Sequence, residues 1–131
     1  MLFHTFRSQG ERRAFGGSDF MELQYCRLPP GTAMEEIVSA DAIENWKSDS
    51  LYVHGGEAER FLEVYGAIVT GGVYSSGARG PVDVCGINFY TQAQAAQIME
   101  RLEAEQPPEY RTLLGWLRAG SRYVGFYILG E

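Results

Sequence analysis

The chain has no hydrophobic run long enough to cross a membrane, and its first residues include no apolar stretch of the length that a signal peptide needs. Its only two cysteines, Cys26 and Cys85, lie far apart and form no CxxC motif, so neither a zinc knuckle nor a dithiol redox site is indicated. We expect both to be buried free thiols in a reducing compartment. These absences predict a cytoplasmic protein without a membrane-spanning segment.

Basic residues are scarce, since 11 Lys and Arg stand against 17 Asp and Glu and give a formal net charge of −6. Such a field repels phosphate backbones, so nucleic-acid binding is disfavoured. The acidity is concentrated between residues 35 and 63, where eight carboxylates face only Lys47 and Arg60. A charge run of this kind is typical of a solvated face that keeps a protein soluble, and the alternative is a docking surface for a basic partner.

The sequence contains few residues arranged for chemistry. No spacing matches a zinc site or an EF-hand, and the glycine-rich stretch 71–80 leads into Pro81 rather than into a phosphate-binding helix, so we predict no metal and no cofactor. A nucleophilic pair of Cys85 and His54, oriented by Asp83, can be drawn. Cys85 lies in an apolar strand pattern, however, which favours a core thiol. We therefore predict that the protein is not an enzyme.

The hydrophobic pattern indicates both strands and helices. Alternation of apolar and polar residues starting at Met21 predicts a half-buried strand. Further strands are predicted at 50–54, 67–70, 82–90 and 122–129, with a loop or open hairpin at 71–81. Helical spacing predicts helices over 57–65, 91–105 and 109–119, and Thr91 with Gln94 forms a capping-box pair at the start of the second. The expected fold is α+β, a mostly antiparallel sheet with about three helices packed on one face.

The domain organisation is simple. Residues 1–20 end in the flexible sequence Gly16-Gly17-Ser18 and are predicted to form a flexible N-terminal arm. Residues 21–131 are then expected to form a single α+β domain, because 131 residues are enough for one core and too few for two.

The C-terminal half resembles small bacterial immunity proteins that protect cells from polymorphic or contact-delivered toxins. The segments that carry the resemblance are GINFYT at 86–91, IMERL at 98–102, PEY at 108–110, LGWL at 114–117 and GFYILG at 125–130. The resemblance implies an acidic, cofactor-free, cytoplasmic α+β domain that binds a cognate toxin and blocks or distorts its active site. These segments are scaffold, and no functional residue is carried over through them.

The leading hypothesis is therefore a non-enzymatic protein, a monomer or homodimer, that neutralises a basic toxin such as a nuclease through an acidic face. The residues predicted to bind the toxin are Glu35, Glu36, Asp41, Glu44, Trp46, Asp49, Glu57 and Glu59. One alternative is a small enzyme or ligand-binding domain with a pocket near His54 and Cys85. Another is a structural subunit of a homo-oligomer.

Overall fold

The computed structural model describes residues 1–16 and 19–130 and has the α+β architecture that the sequence predicts. Its strands are β1 (Phe20–Cys26), β2 (Leu51–His54), β3 (Gly72–Val73), β4 (Arg79–Gly80), β5 (Ile87–Thr91) and β6 (Gly125–Leu129). Its helices are α1 (Gln9–Gly16), α2 (Met34–Ile37), α3 (Ala58–Tyr65), α4 (Gln92–Glu105) and α5 (Tyr110–Ala119), with 3₁₀ turns at Ala40–Ala42 and Gly55–Glu57. The described residues thus contain five α-helices, where about three were predicted.

The six strands form one antiparallel sheet in the order β2-β1-β6-β5-β3-β4. Because successive side chains of a strand point to opposite faces, Met21, Leu23 and Tyr25 of β1 lie on one face, called here the helical face. Glu22 and Gln24 lie on the other, called here the opposite face. All seven residues of β1 are buried, so both faces of the sheet are covered at this strand, and the prediction that it is half-buried is wrong.

Three helices cover the helical face. Helices α3, α4 and α5 supply an apolar stripe each, and these stripes pack against the sheet residues of that face in the main core. The buried helix residues are Phe61, Tyr65, Ile98, Leu102, Leu113, Leu114, Trp116 and Leu117. These are the three helices that the periodicity predicts, and the two unpredicted helices are the short α1 and α2.

The start of α4 confirms the predicted capping box. The Thr91 side chain accepts a hydrogen bond of 3.2 Å from the Gln94 backbone N–H, and the Gln94 side chain accepts one of 2.8 Å from the Thr91 N–H. Two backbone donors that the first helical turn leaves without partners are satisfied in this way. Because both bonds depend only on residues three apart, the sequence was sufficient to locate this helix start.

The segment predicted as an N-terminal arm contributes side chains to the packed interior. Leu2, Phe3 and Phe6 are buried, and Phe3 packs edge-on against rings of α3. His4 exchanges two backbone hydrogen bonds of 2.9 Å with Tyr52 of β2. Strand β2 is at the end of the sheet, so this pairing covers an edge that would otherwise expose free backbone groups. The segment is attached to the domain by both core and edge contacts.

One predicted strand is absent, and another begins later than predicted. Residues 67–70 form a turn after α3, where the N–H groups of Ile68 and Val69 both donate to the Tyr65 carbonyl. Their β-branched side chains are buried without strand pairing, which explains the misleading pattern. In the segment 82–90, pairing begins only at Ile87, because the buried Asn88 side chain bonds both the N–H and the C=O of Asp83 and holds a turn there.

The glycine-rich stretch 71–81 was predicted to be a loop or an open hairpin. It forms the open hairpin of β3 and β4. Gly77 has φ of +88° at the hairpin turn, a backbone conformation that favours glycine.

Across residues 1–16 and 19–130, none of the helices combines the length and the apolarity that a membrane span requires.

Candidate functional site

A polar cavity of about 320 Å³ opens on the opposite face of the sheet, and we call it the Glu22 cavity. Strands β1 and β6 form its floor, α1 forms one wall, and the segment after the 3₁₀ turn at Ala40–Ala42 forms another. The lining residues are Gln9, Arg12, Phe20, Glu22, Ile43, Glu44, Asn45, Trp46, Leu129 and Gly130. A concave surface with a few convergent polar groups is the usual form of a binding site.

Glu22 is the unusual residue of this cavity, because it is an acidic residue of which only 8% is exposed. Its Oε2 accepts hydrogen bonds from the Ser50 hydroxyl at 2.6 Å and from the Gln24 amide at 3.1 Å. Both of these neighbours are buried as well. Buried carboxylates are costly unless hydrogen bonds or cations compensate them. The network around Oε2 supplies that compensation with neutral donors.

The second carboxylate oxygen of Glu22 has a different environment. No hydrogen bond reaches Oε1 from the residues that the structure describes, and this oxygen is not sealed from solvent. Because Glu22 lines the cavity, Oε1 is the acceptor that it presents there. Within residues 1–16 and 19–130, Glu22 also takes part in no ion pair.

Tyr52 anchors the wall of the cavity to the sheet. Its hydroxyl donates to the Lys47 carbonyl at 2.6 Å, accepts from the Lys47 N–H at 3.1 Å, and lies 3.3 Å from Glu22 Oε2. Burial, together with the negative charge of Glu22, raises the pKa of the Tyr52 phenol above its ordinary value. Gln24 adds a second anchor by pairing with the backbone of Glu44.

The cavity also has aromatic and cationic walls. The Arg12 guanidinium lies 5.7 Å from the centre of the Tyr52 ring, a cation–π arrangement. Trp46, one of the predicted partner-binding residues, is partly buried against the aromatic group of Phe6, Phe20 and Tyr52. A guanidinium of the chain itself is thus already held beside the rings of this cavity.

The other predicted binding residues before β2 lie on the same side of the sheet. Glu35 and Glu36 of α2 and Asp41 of the following turn are exposed. The buried residues Ile37 and Val38 pack this segment against the side chains of β1, β5 and β6 on the opposite face. The structure therefore places these three carboxylates on the same face of the sheet as the Glu22 cavity, outside its lining.

Glu44 and Asp49 are predicted binding residues that have intramolecular partners. Arg27 pairs with both of them, and Lys47 lies 3.4 Å from Glu44. These groups are partly exposed, so each pair contributes little to stability. Their charges are nevertheless partly neutralised locally, which distinguishes them from the three carboxylates of the preceding segment.

Glu57 and Glu59 lie elsewhere. They stand at the start of α3, which packs on the helical face. They follow β2, at its His54 end, whereas Asp49 comes before β2, at its Leu51 end. Glu57 also forms a long ion pair of 4.0 Å with Arg60. The structure thus divides the predicted set into a group in the segment that covers the opposite face and a separate pair at α3.

The alternative pocket near His54 and Cys85 is not formed. His54 lies on β2 and Cys85 precedes β5, and β1 and β6 separate these strands, which corresponds to about 14 Å across the sheet. The His54 Nδ1 accepts from the Gly56 N–H, and Asp83 accepts from the Cys85 N–H, so neither group orients a nucleophile.

The two cysteines have different environments. Cys26 is buried as predicted, and its thiol donates a long hydrogen bond of 3.5 Å to the Tyr127 hydroxyl. The prediction of a buried Cys85 is wrong, because the turn that Asn88 holds turns this residue out to solvent. No group of three His, Cys, Asp or Glu side chains suited to a metal ion occurs in the part of the chain that the structure describes.

A second cavity of about 270 Å³ lies between α4, α5 and the start of β6, and its walls are mainly apolar. Gln92 is among its polar lining residues, and its amide is already bonded to the carbonyls of Ser121 and Tyr123. This cavity offers less for specific recognition than the Glu22 cavity, whose carboxylate oxygen is open.

Sequence patterns missed Glu22, Ser50 and Tyr52 as site residues. Alternation in β1 places Glu22 on the face away from the main core, where a carboxylate is expected to be solvated, and only the covering segment buries it.

No protein-family model, curated protein or solved structure matches the chain. What this site binds is therefore inferred from its own chemistry.

Proposed function

We propose that this protein is a non-enzymatic immunity protein that binds a basic bacterial toxin in the cytoplasm and neutralises it by stoichiometric association. One observation supports this best: the acidic segment 34–49 and the Glu22 cavity lie side by side on the opposite face of the sheet. That segment carries five carboxylates and one lysine. A surface of this charge fits a partner with a positively charged active site.

The unpaired carboxylates of this segment are suited to attract such a partner. Glu35, Glu36 and Asp41 are exposed and belong to no ion pair among residues 1–16 and 19–130. The net charge of −6 extends their attraction beyond direct contact. Electrostatic steering of this kind raises the association rate and is reduced by salt.

Neutralisation follows from competition for the toxin's own site. An enzyme that acts on nucleic acid or another phosphate-bearing substrate holds it with lysine and arginine side chains. Carboxylates on a folded surface form charge-assisted hydrogen bonds with the same groups. A protein bound there excludes the substrate without any chemical step of its own.

The resemblance to immunity proteins also supports the proposal. Its segments correspond to β5, α4, α5 and β6, which form the sheet and the helical core rather than the acidic segment. A shared scaffold with a separate binding surface is what a family with many different partners requires. The binding surface is then free to differ from one member to the next.

The test is coexpression with the product of the gene immediately upstream of this one. That product expressed alone should stop bacterial growth, and coexpression of this chain should restore growth. The two purified proteins should also form a stoichiometric complex. An unrelated acidic protein of similar size is the control and should give no rescue. A harmless neighbour, or a toxic one whose effect persists, would contradict the proposal.

A further inference from the structure

We propose that the Glu22 cavity is a receptor for a guanidinium group, donated by an arginine side chain of the protein partner. The inference rests on the proposed function only for the source of the arginine. The chemistry of the cavity depends on Glu22, on the walls around it and on the chain's own Arg12.

Glu22 provides the acceptor. Its Oε2 is held by Ser50 and Gln24, which fixes the carboxylate, while Oε1 faces the cavity without a hydrogen bond from the described residues. The donors on Oε2 are neutral, so the negative charge of the group has no cationic partner in the part of the chain that the structure describes. A cation that enters the cavity gains an acceptor that is already oriented and largely desolvated.

The walls fit an arginine better than a lysine. Phe20 and Trp46 present aromatic surface, and Ile43 and Leu129 present aliphatic surface that can cover the carbon stem of an arginine. A guanidinium is planar, stacks on aromatic rings and is weakly hydrated, whereas an ammonium group is a strongly hydrated point charge. The volume of about 320 Å³ is sufficient for one such side chain.

Further acceptors lie beside Glu22. The Glu44 carboxylate and the Asn45 amide both line the cavity. A guanidinium carries five N–H donors, so a site with several oxygen acceptors can bind more than one edge of it. Glu44 is shared with Arg27 and Lys47 through contacts of 3.4 Å, which leaves Glu22 as the main charge for an incoming cation.

Arg12 is a cation in the wall of the cavity, and it limits the affinity of the cavity for a second cation. Its guanidinium lies over the Tyr52 ring, and its Nε is buried without a hydrogen-bond partner among the described residues. A second guanidinium in the cavity would be repelled by this one. Removal of the Arg12 charge should therefore strengthen binding of a cationic guest, and it would weaken binding of an anionic one.

The experiment uses N-acetyl-arginine amide as a probe and N-acetyl-citrulline amide as its neutral counterpart of the same shape. Binding is followed in the intact protein by the NMR signal of the Trp46 indole N–H, assigned with Trp46→Phe. The arginine probe should shift this signal saturably, with an affinity on the order of millimolar, and the citrulline probe should not. Equal shifts with both probes, or no saturable shift, would overturn the proposal.

Variants locate the acceptor. Glu22→Gln should weaken binding by about tenfold, and Arg12→Gln should strengthen it. Glu100→Gln, which removes the same charge from the exposed surface of α4, is the matched control and should change nothing. Unchanged binding in Glu22→Gln, or a loss of binding in Arg12→Gln, would overturn the assignment.

If Glu22→Gln does not fold, Arg12→Gln decides instead, because Arg12 lines the same cavity and takes no part in the hydrogen bonds of Glu22. It should strengthen binding of the arginine probe, and unchanged or weaker binding would overturn the proposal. Probe binding and rescue from the toxin are separate measurements. Failure of the first with rescue intact refutes this inference alone, and failure of rescue with probe binding intact refutes the proposed function alone.

Discussion

The hydroxyl of Tyr127 donates a hydrogen bond of 2.6 Å to the carbonyl oxygen of Ile37. This buried bond joins β6 to α2 and so attaches the start of the acidic segment to the sheet. Tyr127→Phe leaves the Ile37 carbonyl without that donor, and the free energy of unfolding should fall by about 1 to 3 kcal/mol in urea titrations. Tyr74→Phe removes a bond to Pro81 at the surface and should cost clearly less. Equal losses of stability in the two variants would show that the buried Tyr127 bond contributes no more than the bond of Tyr74 at the surface.

The N-terminal segment is expected to be part of the stable core. Phe3 is buried, with its ring centre 5.5 Å from that of Tyr65, so Phe3→Ala should reduce the free energy of unfolding by about 3 to 5 kcal/mol. Phe15, on α1, is 57% exposed, and Phe15→Ala should cost less than about 1 kcal/mol. Thermal and urea unfolding of both variants measure this difference. A small effect of Phe3→Ala would support a loosely attached arm instead.

The capping box at α4 gives a third prediction. Thr91→Ala removes the acceptor for the Gln94 N–H and should lower the free energy of unfolding by about 1 kcal/mol. Thr112→Ala, at an exposed position inside α5, makes the same chemical change without removing a cap and should be neutral or slightly stabilising. Urea titration compares the two. A similar loss in both would mean that the cap contributes nothing specific.

The two thiols should differ in reactivity. Iodoacetamide should alkylate Cys85 in the folded protein, because the thiol is exposed, and should reach the buried Cys26 only on unfolding. Mass spectrometry of peptides after timed alkylation distinguishes them. Cys85→Ser should change the free energy of unfolding by less than about 0.5 kcal/mol, since no core contact is lost. Protection of Cys85 in the native state would contradict its placement in the turn.

Charge reversal separates the acidic segment from the rest of the surface. Reversal of Glu35 and Glu36 to lysine should slow association with the toxin by about tenfold at low ionic strength and flatten its salt dependence. Reversal of Glu63 and Glu100, exposed on α3 and α4, changes the net charge equally and is the control. Stopped-flow binding at two salt concentrations measures both. Equal slowing would indicate an effect of net charge rather than a docking surface.

Local sequence was sufficient for elements whose stabilising contacts are close along the chain. Spacings of two to four residues predict these elements: the Thr91–Gln94 cap, the apolar stripes of α3, α4 and α5, and the alternation in β1. A local pattern that is compatible with two structures led to a wrong prediction. Ile68 and Val69 have the composition of a strand but are buried in a turn, since burial alone favours β-branched side chains there.

The sequence by itself determined the α+β class, the three helices of the helical face, and the acidity of the segment that follows β1. Only the tertiary structure decided that Glu22 is buried, because the residues that cover it come from segments 20 to 30 positions away. Ser50 donates to the Glu22 carboxylate, and the neighbouring Gln24 bonds the backbone of Glu44. The position of Leu2 also depends on a distant residue, because its N–H donates to the carboxylate of Glu109. The separation of His54 from Cys85 depends on the order of the strands. Contacts between distant positions depend on strand order and packing, and no local spacing encodes them.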